Sequence, residues 1–171
     1  MNILGMALLT LLLLPLPGWS KDVPLFVIQR SKNGNEVQYH LRVDAHCRIR
    51  SHHPVNAVWK LREHSPETTE PLSTVDQLAY GVLRQRVEEN WVMFRLRALE
   101  EKPLKATATA QPETGTCVPS IQVEINDQWA ALERVYVQTE EQRPRPKVTY
   151  IELVGTRLEG SPILLTERIT P

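Results

Sequence analysis

Four side chains that bind borderline metals fall close together at His46, Cys47, His52 and His53. Imidazole nitrogen and thiolate sulfur suit zinc or copper. Their spacing matches no zinc motif, and a disulfide at Cys47 would remove the thiolate. His53-Pro54 also reads as ordinary loop ahead of a strand, with solvated histidines. His46, His52 and His53 therefore stand as metal-ligand candidates against that plainer reading.

Nucleophilic catalysis needs a nucleophile, a base and an orienting group in contact. Ser31, Ser51, Ser65, Ser73, Ser120 and Ser161 all fall in turn-like or cap-like settings, and none sits in a Gly-x-Ser-x-Gly elbow. Cys117 has no histidine near it in sequence. The pairs Glu88-Glu89, Glu100-Glu101 and Glu140-Glu141 are adjacent, so on a strand their carboxylates would face opposite ways. No glycine loop could cradle a phosphate. The chain shows no catalytic set and calls for no cofactor.

A binding set is more visible. Arg30 ends an apolar stretch beside the amides Asn33 and Asn35. An arginine there could grip a carboxylate or phosphate with two parallel hydrogen bonds. The competing reading lets Asn33 and Asn35 shape a turn while Arg30 pairs across it. Tyr39, Trp59 and Tyr80 could line such a ligand site or simply fill the core.

The elements that must position these residues are mostly strands. Val37, Tyr39, Leu41 and Val43 alternate with polar residues, a period of two with one apolar face. Leu25–Arg30 precedes them, and Asn33-Gly34 between the two runs is a strong hairpin signal. Ala57–Arg62, Trp91–Ala98, Leu104–Ala110, Ile121–Ile125, Trp129–Thr139, Val148–Gly155 and Ile163–Ile169 read as further strands. The last two form a hairpin, and Asn126-Asp127 is a turn. Ala45–Asn56, His64–Pro71 and Glu140–Lys147 read as loops. Ser73 opens a short helix as its N-cap with Asp76 three residues on, and the helix ends near Gly81. The alanine-lined face of Leu104–Ala110 needs a large partner, such as a tryptophan. Eight or nine strands and one helix predict an all-β fold, an antiparallel sandwich or a small closed barrel.

The chain's start points to export. Met1–Ser20 carries no Asp, Glu, Lys or Arg, and Leu8–Leu16 is almost purely apolar. That length matches the core of a secretory leader, about 7–15 residues. It falls short of the roughly 20 needed to span a membrane. Gly18-Trp19-Ser20 offers small residues where signal peptidase cuts, so residues 1–20 are the expected leader and 21–171 one mostly β domain. An uncleaved anchor is the rival, because no basic residue lies near Met1. No membrane span is expected once the leader is removed. Cys47 and Cys117, the only cysteines, read as a disulfide in an oxidising compartment; two buried thiols are the alternative. The 20 basic and 20 acidic side chains balance, so no field would draw in nucleic acid.

The stretch Phe26–Tyr39 resembles the start of an exported bacterial family, domain of unknown function 4833. Further matches are Val43-Asp44-Ala45, His53-Pro54-Val55, Pro71-Leu72-Ser73, Ala79-Tyr80-Gly81-Val82 and Tyr150-Ile151-Glu152-Leu153. The resemblance implies export but no reaction, cofactor or catalytic residue. It does not imply Cys47 and Cys117, so a bridge there would be a local addition. The expectation is a periplasmic or secreted, non-enzymatic β domain that binds a small ligand or an envelope protein. A metal-binding protein or metal-dependent enzyme built on His46–His53, and a structural envelope protein, are the alternatives.

Overall fold

The computed structural model describes residues 20–30, 35–61, 68–140 and 147–170. Residues 1–19 of the expected leader, the Asn33-Gly34 turn, residues 62–67, residues 141–146 and residue 171 lie outside them.

Alternation dictates the opening hairpin. β1 (Lys21–Arg30) and β2 (Glu36–Val43) pair antiparallel, with Phe26 opposite Tyr39 and Ile28 opposite Val37. Val37, Tyr39, Leu41 and Val43 are all buried. β3 (Val55–Lys60) continues the sheet and sets Val37 beside Trp59. β4 (Thr69–Pro71) adds a short edge. Helix α1 (Thr74–Tyr80) follows, closed at its start by the expected Ser73–Asp76 capping box. Then come β5 (Val82–Glu88), β6 (Trp91–Leu96), β7 (Leu99–Ala110), β8 (Cys117–Ile125), β9 (Gln128–Glu140), β10 (Lys147–Arg157) and β11 (Leu164–Ile169).

The eleven strands form one sheet in the order β4-β3-β2-β1-β9-β8-β7-β6-β5, with β10 on β9 and β11 on β10. Two strands exceed the sequence expectation. β4 is three exposed residues with no alternation to read. β5 is interrupted by a bulge, with a register shift between Leu83 and Arg86 and Arg84 at φ 48°. The expectation of a purely antiparallel fold also needs correction, because β1 and β9 run parallel over Ile28–Val135, Gln29–Tyr136 and Arg30–Val137. The cause is the length of β9. Its start pairs with β8 over Gln128–Ala131, while β10 covers its other edge. Beyond Ala131 the edge left by β8 is taken by β1.

Strand pairing does not close the sheet into a barrel. Near β3 and β5 a side chain supplies the link. The Val55 N–H donates to Gln85 Oε1 at 2.8 Å, and Gln85 Nε2 donates to the Val55 carbonyl at 3.0 Å. The carboxamide thus reproduces the reciprocal pair that a strand residue would offer. The bulge at Arg84 re-aims the chain just before Gln85, as bulges do.

The apolar core lies on one face. Val92 and Phe94 stand opposite Ala106 and Leu104, and Ile121 and Val123 flank these from β8. The small alanines are therefore filled by aliphatic and phenyl neighbours. Trp91 is paired with Thr107 on the opposite face, so it is not the large residue that covers them.

Cys47 and Cys117 are bonded, with their Cα atoms 5.3 Å apart. The bridge ties the loop after β2 to the start of β8. Asp44 shapes that loop: its carboxylate accepts from the His46 and Arg48 N–H groups, and its carbonyl accepts from the Cys47 N–H. The tight turn holds Cys47 at φ 62°. A covalent loop spanning 70 residues restricts the unfolded chain by about 4 kcal/mol.

Replacing Gln85 by Ala leaves a buried N–H and C=O of Val55 without partners, and should cost about 2 kcal/mol in urea unfolding. Gln85→Glu should recover only part of this, since it keeps the acceptor and loses the donor. An unchanged midpoint in both variants would mean that water replaces the amide.

Candidate functional site

Strand parity puts Phe26, Ile28 and Arg30 on one face of β1, and Arg30 ends that row. Its guanidinium carbon lies 5.5 Å from the Trp59 ring centroid and 5.7 Å from that of Tyr80. Trp59 and Tyr80 meet edge to face at 5.6 Å. Tyr80 arrives from the last residue of α1 and is held there by Tyr39, whose hydroxyl donates to the Tyr80 carbonyl at 2.7 Å. Phe26 stacks flat on Tyr39, with centroids 4.4 Å apart. An aromatic column therefore rises from the core and ends in a cation held over two π faces.

Burial divides the expected ligand-binding residues. Tyr39 is 0% exposed, Tyr80 8% and Trp59 9%. Tyr39 cannot touch a ligand; its work is to fix Tyr80. Burial pushes the Tyr39 and Tyr80 hydroxyls above the usual tyrosine range, so both stay neutral at any physiological pH. Arg30 is only half-buried. Its Nε is nevertheless shielded from water and has no hydrogen-bond partner among the described residues, an arrangement that costs free energy. Asn35 is half-buried and partnered, and Asn33 lies outside the described residues.

Asp76 joins this site through charge. Its partial burial works against ionisation. Hydrogen bonds from the Ser73 hydroxyl, the Trp59 side chain and the Ser73 N–H, together with the nearby Arg30 charge, still hold the carboxyl below the usual aspartate range. The carboxylate is occupied by the helix cap and Trp59, and it acts on Arg30 at a distance. Asp76 is legible from sequence as a cap but not as a charge facing Arg30. Only the docking of α1 on β3 brings the two together.

The histidine loop looks different. His46, His52 and His53 are exposed, the His53 N–H donates to Ser51 Oγ, and Cys47 is consumed by the disulfide. Among the described residues no group of three or more His, Cys, Asp or Glu side chains is placed to hold a metal. His46 instead lines an open cleft with Arg48, Arg50, Glu89 and Asn90. No described helix is long and apolar enough to cross a membrane.

A folded-state pKa lowered at Asp76 adds stability above the unfolded value, near 4, that is lost as pH falls through the folded value. Unfolding of the native chain should therefore become easier below about pH 4, and Asp76→Asn should flatten that dependence while costing about 1 kcal/mol at neutral pH through the damaged cap. Identical pH profiles for the two proteins would remove Asp76 from the site's electrostatics, leaving Asp22 and Asp44, which Arg42 and the Arg48 N–H respectively hold low.

Comparison with known proteins gives one match: the family model described as Domain of unknown function (DUF4833) covers residues 26–164. No similar curated protein and no similar solved structure was found.

Proposed function

Because the chain belongs to the family described as Domain of unknown function (DUF4833), a description that assigns no activity, we propose a function from its own residues: a non-enzymatic domain, outside the reducing cytoplasm, that binds a small carboxylate or phosphate ligand at Arg30. The observation that carries this reading is the Arg30 guanidinium stacked against Trp59 and Tyr80 with a shielded Nε that has no partner among the described residues. Arginine's planar fork suits a bidentate anion, and stacking on rings leaves its in-plane donors directed outward. An anion seated there would pair with the outward donors of a guanidinium whose charge the shielded Nε leaves incompletely compensated.

The setting is read the same way. Residues 1–20 form a leader removed before Lys21, and 21–171 act as one domain. The Cys47–Cys117 bridge supports an oxidising compartment. The sheet is read as a barrel left open along the β3–β5 seam and latched there by Gln85, with the aromatic column closing one end.

Intact-mass measurement of protein recovered from the producing cell should give a start at Lys21 and a loss of about two mass units for the bridge. A chain that retains Met1–Ser20 would favour the anchored form. Thermal unfolding tests the ligand reading. Inorganic phosphate or succinate at about 100 times its Kd should stabilise the native protein by about 2.7 kcal/mol. Arg30→Gln should abolish that gain, and Arg30→Lys should keep only part of it because a point charge replaces the fork. Equal stabilisation of the native and Arg30→Gln proteins, or none in either, would overturn the assignment.

A further inference from the structure

The outer face of β6–β9 carries two tryptophans that the core does not use. Parity shows why they face out. Val92 and Phe94 point inward, so Trp91 and Met93 point outward; Ala130 is buried, so Trp129 points outward. The register lays the rest of this face beside them. Met93 is opposite Lys105, Lys105 is opposite Gln122, and Glu124 is opposite Trp129. The Leu158 N–H donates to the Trp129 carbonyl at 2.9 Å, which brings Leu158 and Glu159 to the same rim. Trp91, Trp129, Lys105, Gln122, Leu158 and Glu159, with Met93, surround a cleft of about 440 Å³. That volume lies within the range of roughly 300–1,000 Å³ common to small-molecule sites.

Trp129 is 38% exposed and Leu158 43%. Apolar groups gathered around one cleft mark a binding surface where singly scattered ones would not. The chemistry of the lining narrows the ligand. Lys105 stands 5.2 Å from the Trp91 ring centroid, and Glu159 supplies an opposite charge, so the cleft carries no net sign. A polyanion would meet Glu159, and a purely apolar ligand would leave the ammonium, amide and carboxylate unsatisfied. A neutral ring with C–H groups on its faces and hydroxyls at its edge satisfies both sets. Its face lies on the exposed Trp129 indole, and its hydroxyls reach Lys105, which Trp91 holds from below, Gln122 and Glu159.

We propose that this cleft is a saccharide-binding site, with Trp129 as the stacking platform, Gln122, Lys105 and Glu159 as hydroxyl partners, and Trp91 as the ring that positions Lys105. It lies on other strands than Arg30 and does not depend on the anion reading.

The test is titration of the disulfide-bonded protein with chitotriose and cellotriose, read by tryptophan fluorescence and by calorimetry. Saturable binding of at least one sugar is expected. Trp129→Ala should weaken it at least tenfold, and Gln122→Ala severalfold. Arg30→Gln should leave it unchanged. Trp129→Phe, which keeps a ring, should retain most of the affinity and guards against loss of fold in the alanine variant. Absence of binding of both sugars at millimolar concentration overturns the proposal. So does binding that Trp129→Ala and Gln122→Ala leave intact while their unfolding curves remain native-like.

Discussion

The short parallel ladder between β1 and β9 is the joint on which the rest of the structure depends. Without it the strands β4-β3-β2-β1 would share no ladder with β8-β7-β6-β5. Only Ile28–Arg30 and Val135–Val137 take part. A parallel pairing this brief gains little from its hydrogen bonds, so burial must hold it. Ile28, Val135 and Val137 are all enclosed in the core. Two other links cross between the same halves by different chemistry. The Cys47–Cys117 bridge ties the loop after β2 to β8, and the Gln85 amide ties β5 to β3. The seam between the halves is therefore secured by a ladder, a covalent bond and a side chain that imitates a peptide group.

That joint also decides where Arg30 goes. Opposite Val137, the last residue of β1 sits at the end of the apolar row set by Phe26 and Ile28. A lysine there would stay hydrated and bend away. A guanidinium is more weakly hydrated and lies flat against rings, so Trp59 and Tyr80 can hold it at the edge of the core. Tyr39 makes this possible from below, since its hydrogen bond to the Tyr80 carbonyl fixes the end of α1. The helix has only two turns, and its Ser73–Asp76 cap and this anchor fix both of its ends.

What could be read in the sequence followed from period and from turn chemistry. The β1–β2 pairing, the capping box at Ser73, the Asn126-Asp127 turn with both φ angles positive and the β10–β11 hairpin all rest on local signals. The cysteine pairing rested on compartment and an even count, and the bond is present. What stayed hidden is non-local or irregular. β5 is broken by a bulge at Arg84, a residue type that rarely takes positive φ, so its alternation fails where it would be sought. The parallel β1–β9 contact joins segments more than a hundred residues apart, and no local pattern reports it. In the candidate site, Arg30 and its aromatic neighbours were visible as residue types. That Tyr39 is a support and Asp76 a charge partner depends on packing. The outward Trp91 and Trp129 follow from strand parity only once the burial of Val92 and Ala130 is known.

Backbone strain falls at two of the links. Cys47 and Arg84 both take left-handed conformations, at roughly 1 kcal/mol each relative to ordinary strand or turn geometry. Each lies next to a connection between the halves: Cys47 within the disulfide, Arg84 immediately before Gln85. The strain is thus offset by the link it allows. The consequence is a sheet whose halves are joined by few bonded links and otherwise through one shared apolar core. Arg30 belongs to the inner end of one half, and the Trp91–Trp129 cleft to the outer face of the other. They share no side chain and no hydrogen-bond partner, so perturbations at one should add to those at the other without coupling. A fold built this way can carry two ligand chemistries on one sheet, one selected by charge and one by stacking.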